Sequence, residues 1–90
     1  MKQFHLIVSG RVQGVGFRYF VQTLALENHV TGWVRNKTDG TVECIAVASP
    51  DTLHTFVEKL KKGNRFAKVQ HIEITENEPK EPFLNFKVIY

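Results

Sequence analysis

The sequence contains little of what disulfide or membrane chemistry requires. Its 90 residues include a single cysteine, Cys44, which excludes an internal disulfide and gives no sign of an oxidising compartment. No apolar run approaches the roughly 20 residues that span a bilayer. The segment Met1–Gly10 has no small-residue cleavage site and indicates a first strand rather than a signal peptide. We therefore expect a cytoplasmic protein with no membrane partner.

Side chains that bind metals or attack substrates are also sparse. The histidines are scattered without metal-ligand spacing, at His5, His29, His54 and His71. Cys44 is not followed by the arginine of a cysteine-dependent phosphatase loop, so we predict it as a small buried apolar residue of a strand. The sequence has no serine elbow and no obvious pair of acid/base carboxylates. We predict no metal and no cofactor.

The composition is typical of one small globular domain. Ninety residues leave no room for two cores, and 42% hydrophobic with 23% charged residues are ordinary values for a soluble protein. We expect one domain over residues 1–90, and a monomer is the simplest state for it. The net charge of +3 suits phosphate-bearing small molecules, nucleic acid or a merely basic surface.

Hydrophobic periodicity predicts five strands and two helices. Apolar residues recur at helical spacing from Phe17, Asp39-Gly40 marks a hairpin, and Ser49 suits the N-cap of a second helix that begins at Pro50. The predicted strands are Phe4–Ser9, Val30–Lys37, Thr41–Ala48, Lys68–Thr75 and Leu84–Tyr90, with helices from Phe17 to near Asn28 and from Pro50 to near Gly63 and a polar loop over Glu76–Pro82. This order, β-α-β-β-α-β plus a short C-terminal strand, predicts an α+β fold: a ferredoxin-like split β-α-β sandwich with two helices on one face of an antiparallel sheet.

The stretch GRVQGVGFR, Gly10–Arg18, joins the first strand to the first helix. Glycines let successive amides turn inward around an anion, and a helix N-terminus adds positive potential. Arg18 would direct a planar fork of donors at the same point. A glycine-rich tight turn is the alternative. The stretch is neither a P-loop, because no Gly-Lys-Ser/Thr follows, nor a dinucleotide fingerprint, because Tyr19 takes the place of the third glycine.

Asn36 is the unusual polar residue of the second strand. It alternates with Gly32 and Val34, which we expect to face the helices. The first two strands run parallel in this fold, so Asn36 should lie at the same edge as Arg18. It either supports the hairpin turn or holds a water molecule. Backbone amides, one arginine and one asparagine supply no strong base and no general acid. Such a site suits an acyl phosphate, because the carboxylate that leaves has a conjugate-acid pKa of about 4 and departs without a proton.

Two stretches resemble the signatures of the acylphosphatase family. They are VSGRVQGVGFR over Val8–Arg18 and GWVRNKTDGTV over Gly32–Val42. The resemblance implies hydrolysis of a small acyl phosphate to a carboxylate and inorganic phosphate, without metal or cofactor. It implies that Asn36 holds the attacking water and that inorganic phosphate or sulfate occupies the loop. It also leaves open whether the carboxylate of Tyr90 pairs with Arg18. The implied phosphate-binding residues are Gln13, Gly14, Val15, Gly16, Phe17 and Arg18.

One position departs from the family pattern, and two other functions stay open. Ala48 stands where the family usually has glycine, which concerns strand–helix packing and stability rather than catalysis. Gly16–Phe20 loosely resembles an aromatic RNA-contact motif, although that motif belongs on a strand and these residues follow a helical period. We therefore expect no nucleic-acid partner. The third possibility is a degenerate domain that handles carbamoyl phosphate within a larger maturation system. A small, shallow site around the phosphate gives few contacts to the acyl group, so broad selectivity for the acyl phosphate is expected.

Overall fold

All the predicted helices and strands are present in the computed structural model, which describes residues 1–90. The first strand is longer than predicted at both ends, the fourth extends into the predicted polar loop, and the last is shorter. In chain order the elements are β1 Lys2–Arg11, α1 Phe17–Glu27, β2 Thr31–Asn36, β3 Val42–Ala48, α2 Pro50–Lys62, β4 Lys68–Asn77 and β5 Phe86–Val88.

The five strands form one sheet in the order β4-β1-β3-β2-β5. The first four are antiparallel, as predicted for the ferredoxin-like fold. The sheet is mixed rather than antiparallel throughout, because the short C-terminal strand β5 runs parallel to β2 with Gly32 opposite Phe86. The segment 78–85 carries the chain from the β4 edge to the opposite edge, so β5 enters in the direction of β2. Two backbone bonds extend this pairing, from Gly32 N to Asn85 O and from Ile89 N to Val34 O.

Both helices cover one face of the sheet and enclose the core. Alternate residues of β1 and β3 point into it, and the apolar stripes of both helices close it. Cys44 is 1% exposed, and this burial raises the pKa of its thiol far above the ordinary value. Ala48 lies in the same core and is 3% exposed. No helix is long and apolar enough to cross a membrane.

The helix ends follow the local chemistry of the sequence. Ser49 Oγ accepts the N–H of Thr52 at 3.4 Å, as expected for the N-cap of α2. By contrast, α1 begins after Gly16, which is left-handed with φ 75°, and it has no side-chain cap. Phe17 and Phe20 lie in α1, and the Phe17 ring is buried, so they form no exposed aromatic platform on a strand.

The opposite face of the sheet carries a compact ionic network. Glu43 Oε2 lies 2.6 Å from His5 Nε2, and Glu43 Oε1 accepts from Arg35 Nε at 2.7 Å. Burial on its own would raise the pKa of Glu43, but the hydrogen bonds from His5 and Arg35 outweigh it and lower that pKa. This network holds β1, β2 and β3 together on the side away from the helices.

Candidate active site

The loop between β1 and α1 depends on two glycines for its backbone path. Gly14 and Gly16 have φ values of 73° and 75°, in the region that other residues rarely adopt. A Cβ built on Gly14 would meet nothing within 4 Å, and one on Gly16 would approach only Asn64 Nδ2, at 4.0 Å. These glycines are therefore needed for conformation rather than for space.

The backbone amides of this loop are free. No N–H group from Gln13 to Tyr19 donates to another group of the protein, and the first that does is Phe20 N, to Gly16 O at 3.1 Å. Helix N-termini leave their first N–H groups unpaired and carry partial positive charge. The loop and the start of α1 therefore present a continuous run of unpaired donors.

These donors share a cleft with both predicted polar side chains. The cleft has a volume of about 140 Å³ and is lined by Val12, Gly14, Gly16, Phe17, Arg18, Tyr19 and Asn36. The structure thus brings Asn36 at the end of β2 next to the start of α1. Of the predicted phosphate-binding residues, Gln13 and Val15 do not line this cleft.

Asn36 carries the one buried side-chain acceptor that has no hydrogen-bond partner, its Oδ1 atom. An unpaired buried acceptor costs about 1–3 kcal/mol unless a ligand or water molecule donates to it. The alternative role, support of the hairpin, belongs to another residue: Asp39 Oδ1 accepts from the Thr41 backbone N–H at 3.0 Å and from its hydroxyl at 2.6 Å. Asn36 therefore lines the cleft and makes none of the side-chain hydrogen bonds that hold the turn.

Arg18 is held by the chain end, although not through the carboxylate. Its guanidinium lies over the Tyr90 ring, 4.7 Å from Cζ to the centroid, and Nη1 donates to the Ile89 carbonyl at 3.4 Å. The sequence left open whether the Tyr90 carboxylate pairs with Arg18; in the structure the Tyr90 ring, rather than the carboxylate, packs against Arg18. No carboxylate lies within ion-pair distance of Arg18. Its charge and most of its donors are available to an anion.

Two side-chain contacts brace the loop from outside the cleft. Gln13 Nε2 donates to the carbonyls of Lys37 and Thr41, at 2.7 and 2.9 Å, and so ties the loop to the hairpin that follows Asn36. The Val15 carbonyl accepts from Asn64 Nδ2 at 3.0 Å. Neither brace is predicted from the sequence: Gln13 was assigned a role only through its backbone amide, and an asparagine after a helix, such as Asn64, is an ordinary turn residue.

The remaining ionisable groups limit what the cleft does chemically. The chain has no group of three or more His, Cys, Asp or Glu side chains that could hold a metal ion. Tyr19 is the lining residue with an acidic proton, and its hydrogen bond with the Tyr90 hydroxyl raises the pKa of Tyr19 above the ordinary value. At neutral pH the cleft therefore offers donors and an amide, but no base.

A ferredoxin-like α+β sandwich with free loop amides, and with an arginine that pairs with no carboxylate, has the features of an anion-binding scaffold. Comparison of the amino-acid sequence with known proteins identifies the family. The chain belongs to the acylphosphatase family, whose sequence model matches residues 4–88. It is 47% identical over 90 residues to the acylphosphatase of Bacillus subtilis (strain 168), covering 100% of this chain and 99% of that one. Acylphosphatases are hydrolases that act on acyl phosphates.

Solved structures agree with this assignment. The crystal structure of acylphosphatase from Bacillus subtilis matches with a TM-score of 0.97 at 47% identity, covering 100% of both chains. A full-length HypF in the phosphate- and nucleotide-bound form also matches, with a TM-score of 0.83 at 26% identity. This chain is covered completely in that match but corresponds to 12% of the HypF chain. The ferredoxin-like fold is thereby confirmed.

Proposed function

We propose that this chain hydrolyses the carboxyl-phosphate anhydride of small acyl phosphates, with Arg18 and the amides from Gln13 to Arg18 binding the phosphoryl group and Asn36 positioning the attacking water. The observation that carries this proposal is the buried, unpartnered Oδ1 of Asn36, a residue that lines the same cleft as Gly14, Gly16 and Arg18. An acceptor, free backbone donors and a cation on residues of one cleft suit a water molecule next to a phosphoryl group.

The donors act on the phosphoryl oxygens. Free backbone N–H groups and the planar fork of Arg18 neutralise the charge that spreads over these oxygens in the transition state. Because α1 and the β1–α1 loop hold the donors in place, little reorganisation is needed during the reaction. The same cradle is expected to bind inorganic phosphate or sulfate.

The reaction proceeds without a protein base. Asn36 Oδ1 accepts a hydrogen bond from the water molecule, and this bond directs a lone pair of the water oxygen at phosphorus. The new P–O bond forms as the bond to the acyl oxygen breaks, and the electron pair leaves with the carboxylate. The water proton passes to a phosphoryl oxygen or to solvent. Because a carboxylate is the leaving group, the step requires neither a general acid nor a metal ion. We further propose that the enzyme acts as a cytoplasmic monomer without a cofactor.

Hydrolysis of benzoyl phosphate, with and without excess EDTA, tests this proposal. We expect activity that EDTA does not change. Arg18→Ala should weaken binding of inorganic phosphate about a hundredfold or more, because two charge-assisted hydrogen bonds are lost. Asn36→Ala should keep that affinity and lower kcat about a hundredfold. The exposed Arg65, whose guanidinium lies 5.5 Å from the centre of the Phe66 ring, supplies the control Arg65→Ala.

The outcomes separate the parts of the proposal. Absence of benzoyl phosphate hydrolysis by the unmodified chain would refute the proposed hydrolase activity. Loss of activity only when EDTA is added would refute the proposed mechanism without a metal ion. Normal turnover by Asn36→Ala would refute its role in positioning water.

A further inference from the structure

Asn64, in the turn between α2 and β4, contacts the active-site loop from behind. Its Nδ2 donates to the Val15 carbonyl at 3.0 Å, and its Oδ1 accepts the backbone N–H groups of Phe66 and Ala67, at 3.0 and 2.6 Å. Backbone N–H groups only donate, so Oδ1 must face Phe66 and Ala67. The orientation of the side-chain amide is therefore fixed, with its donor directed at Val15.

This contact sets the direction of one peptide group of the loop. All peptide bonds are trans, so the Val15 carbonyl and the Gly16 N–H lie in one plane and point in opposite directions. The carbonyl points to Asn64, which does not line the cleft, whereas Gly16 does. The Gly16 N–H therefore points away from Asn64, towards the cleft, and no protein group accepts from it.

Little else in the loop holds this peptide in that orientation. Glycine adopts positive and negative φ with similar ease, and the Cβ positions of Gly14 and Gly16 meet no crowding that would block a rotation. Rotation of the Val15–Gly16 peptide would turn a carbonyl oxygen towards the bound anion. The hydrogen bond from Asn64 opposes this rotation.

We propose that Asn64 is a positioning residue that holds the Gly16 N–H towards the phosphoryl group. This inference rests on the proposed function, because it assumes that the cleft binds phosphate. It assigns a role to a residue that lies far from the loop in sequence and outside the cleft. Substrate binding should therefore depend on the turn after α2.

Inorganic phosphate is the probe, with the Gly16 amide proton followed by NMR. Asn64→Leu removes all three hydrogen bonds, whereas Asn64→Asp keeps the two that Phe66 and Ala67 donate and replaces the donor to Val15 with a charged oxygen that repels the Val15 carbonyl. We expect both variants to raise the Kd for phosphate about tenfold, which corresponds to about 1.4 kcal/mol. The downfield shift of the Gly16 amide at saturating phosphate should shrink in both.

Asn28→Leu is the matched control, because Asn28 Nδ2 also donates to a backbone carbonyl, that of Leu24, at 2.7 Å, but away from the cleft. It should change neither readout. An undiminished Gly16 shift in Asn64→Asp, with an unmodified chain that binds phosphate and hydrolyses benzoyl phosphate, would overturn the role of Asn64 alone. An unmodified chain that binds no phosphate would overturn the proposed site and this inference together.

Discussion

Replacing Gln13 with leucine removes the two hydrogen bonds that join the active-site loop to the hairpin that follows Asn36 in the sequence. Each bond contributes about 1 kcal/mol, and neither carbonyl is left unpaired. The Lys37 carbonyl keeps the Gly40 N–H at 3.3 Å, and the Thr41 carbonyl keeps the Lys37 N–H at 2.9 Å. We therefore expect Gln13→Leu to lose about 2 kcal/mol of unfolding free energy, a loss that a domain stable by about 5–15 kcal/mol survives.

Catalysis should suffer beyond this loss of stability. Without the tie, Asn36 moves relative to the loop, and misplacement of a reacting group by about 1 Å lowers rates steeply. We expect kcat for benzoyl phosphate to fall about tenfold while KM changes less. Urea denaturation measures the stability, and steady-state kinetics measure the rate.

A matched control is available in α1. Gln22 Nε2 donates to the Phe86 carbonyl at 3.1 Å, so Gln22→Leu also removes a glutamine-to-carbonyl bond between two elements. It should cost about 1 kcal/mol and leave kcat unchanged. If Gln13→Leu loses stability yet turns over as fast as Gln22→Leu, the tie does not position Asn36 and the reasoning fails.

Two further predictions concern the sheet. In Gly32→Ala the new Cβ would lie 1.9 Å from a backbone carbonyl oxygen of β3, and φ is 138°, so we expect the free energy of unfolding to fall by more than about 4 kcal/mol and Tm to fall sharply. The matched control Gly14→Ala, in the loop, meets no atom within 4 Å and should lose only about 1–2 kcal/mol. Equal Tm values for the two variants would contradict this prediction. Because His5 and Arg35 lower the pKa of Glu43 below 4.5, its carboxylate stabilises the fold above that pH, and this contribution disappears as the pH falls through the folded-state pKa. Glu43→Gln should therefore be less stable than the parent at neutral pH, and their urea midpoints should converge in acid; a constant gap would count against the network.

Local signals were sufficient for most of the fold. The Ser49 cap, the proline after it and the glycine beyond Lys62 are recognisable without any tertiary information, and α2 begins and ends where they predict. The direction of β5 was not predictable in this way. It depends on the path of residues 78–85 across the molecule, and an alternating strand pattern is the same whether its neighbour is parallel or antiparallel.

The site was predictable where topology alone brings residues together. Arg18 and Asn36 were expected at one edge because β1, which leads to Arg18, and β2, which ends at Asn36, run in the same direction. The structure places both residues in one cleft. The braces at Gln13 and Asn64 were not predictable, because side chains that donate to distant carbonyls leave no periodic signal. Whether Tyr90 meets Arg18 through its carboxylate or its ring was left open for a similar reason: proximity of two residues does not specify which of their atoms are in contact.

The central position of β3 also determines when the cleft can exist. β1 and β2 form no hydrogen bonds with each other, and each pairs with β3, which follows both in the chain. The loop with Arg18 and the strand end with Asn36 therefore remain separate until β3 is inserted between them. Such non-local pairing forms late and slowly. During refolding or synthesis, hydrolytic activity would report completion of the sheet centre rather than formation of any single helix or hairpin.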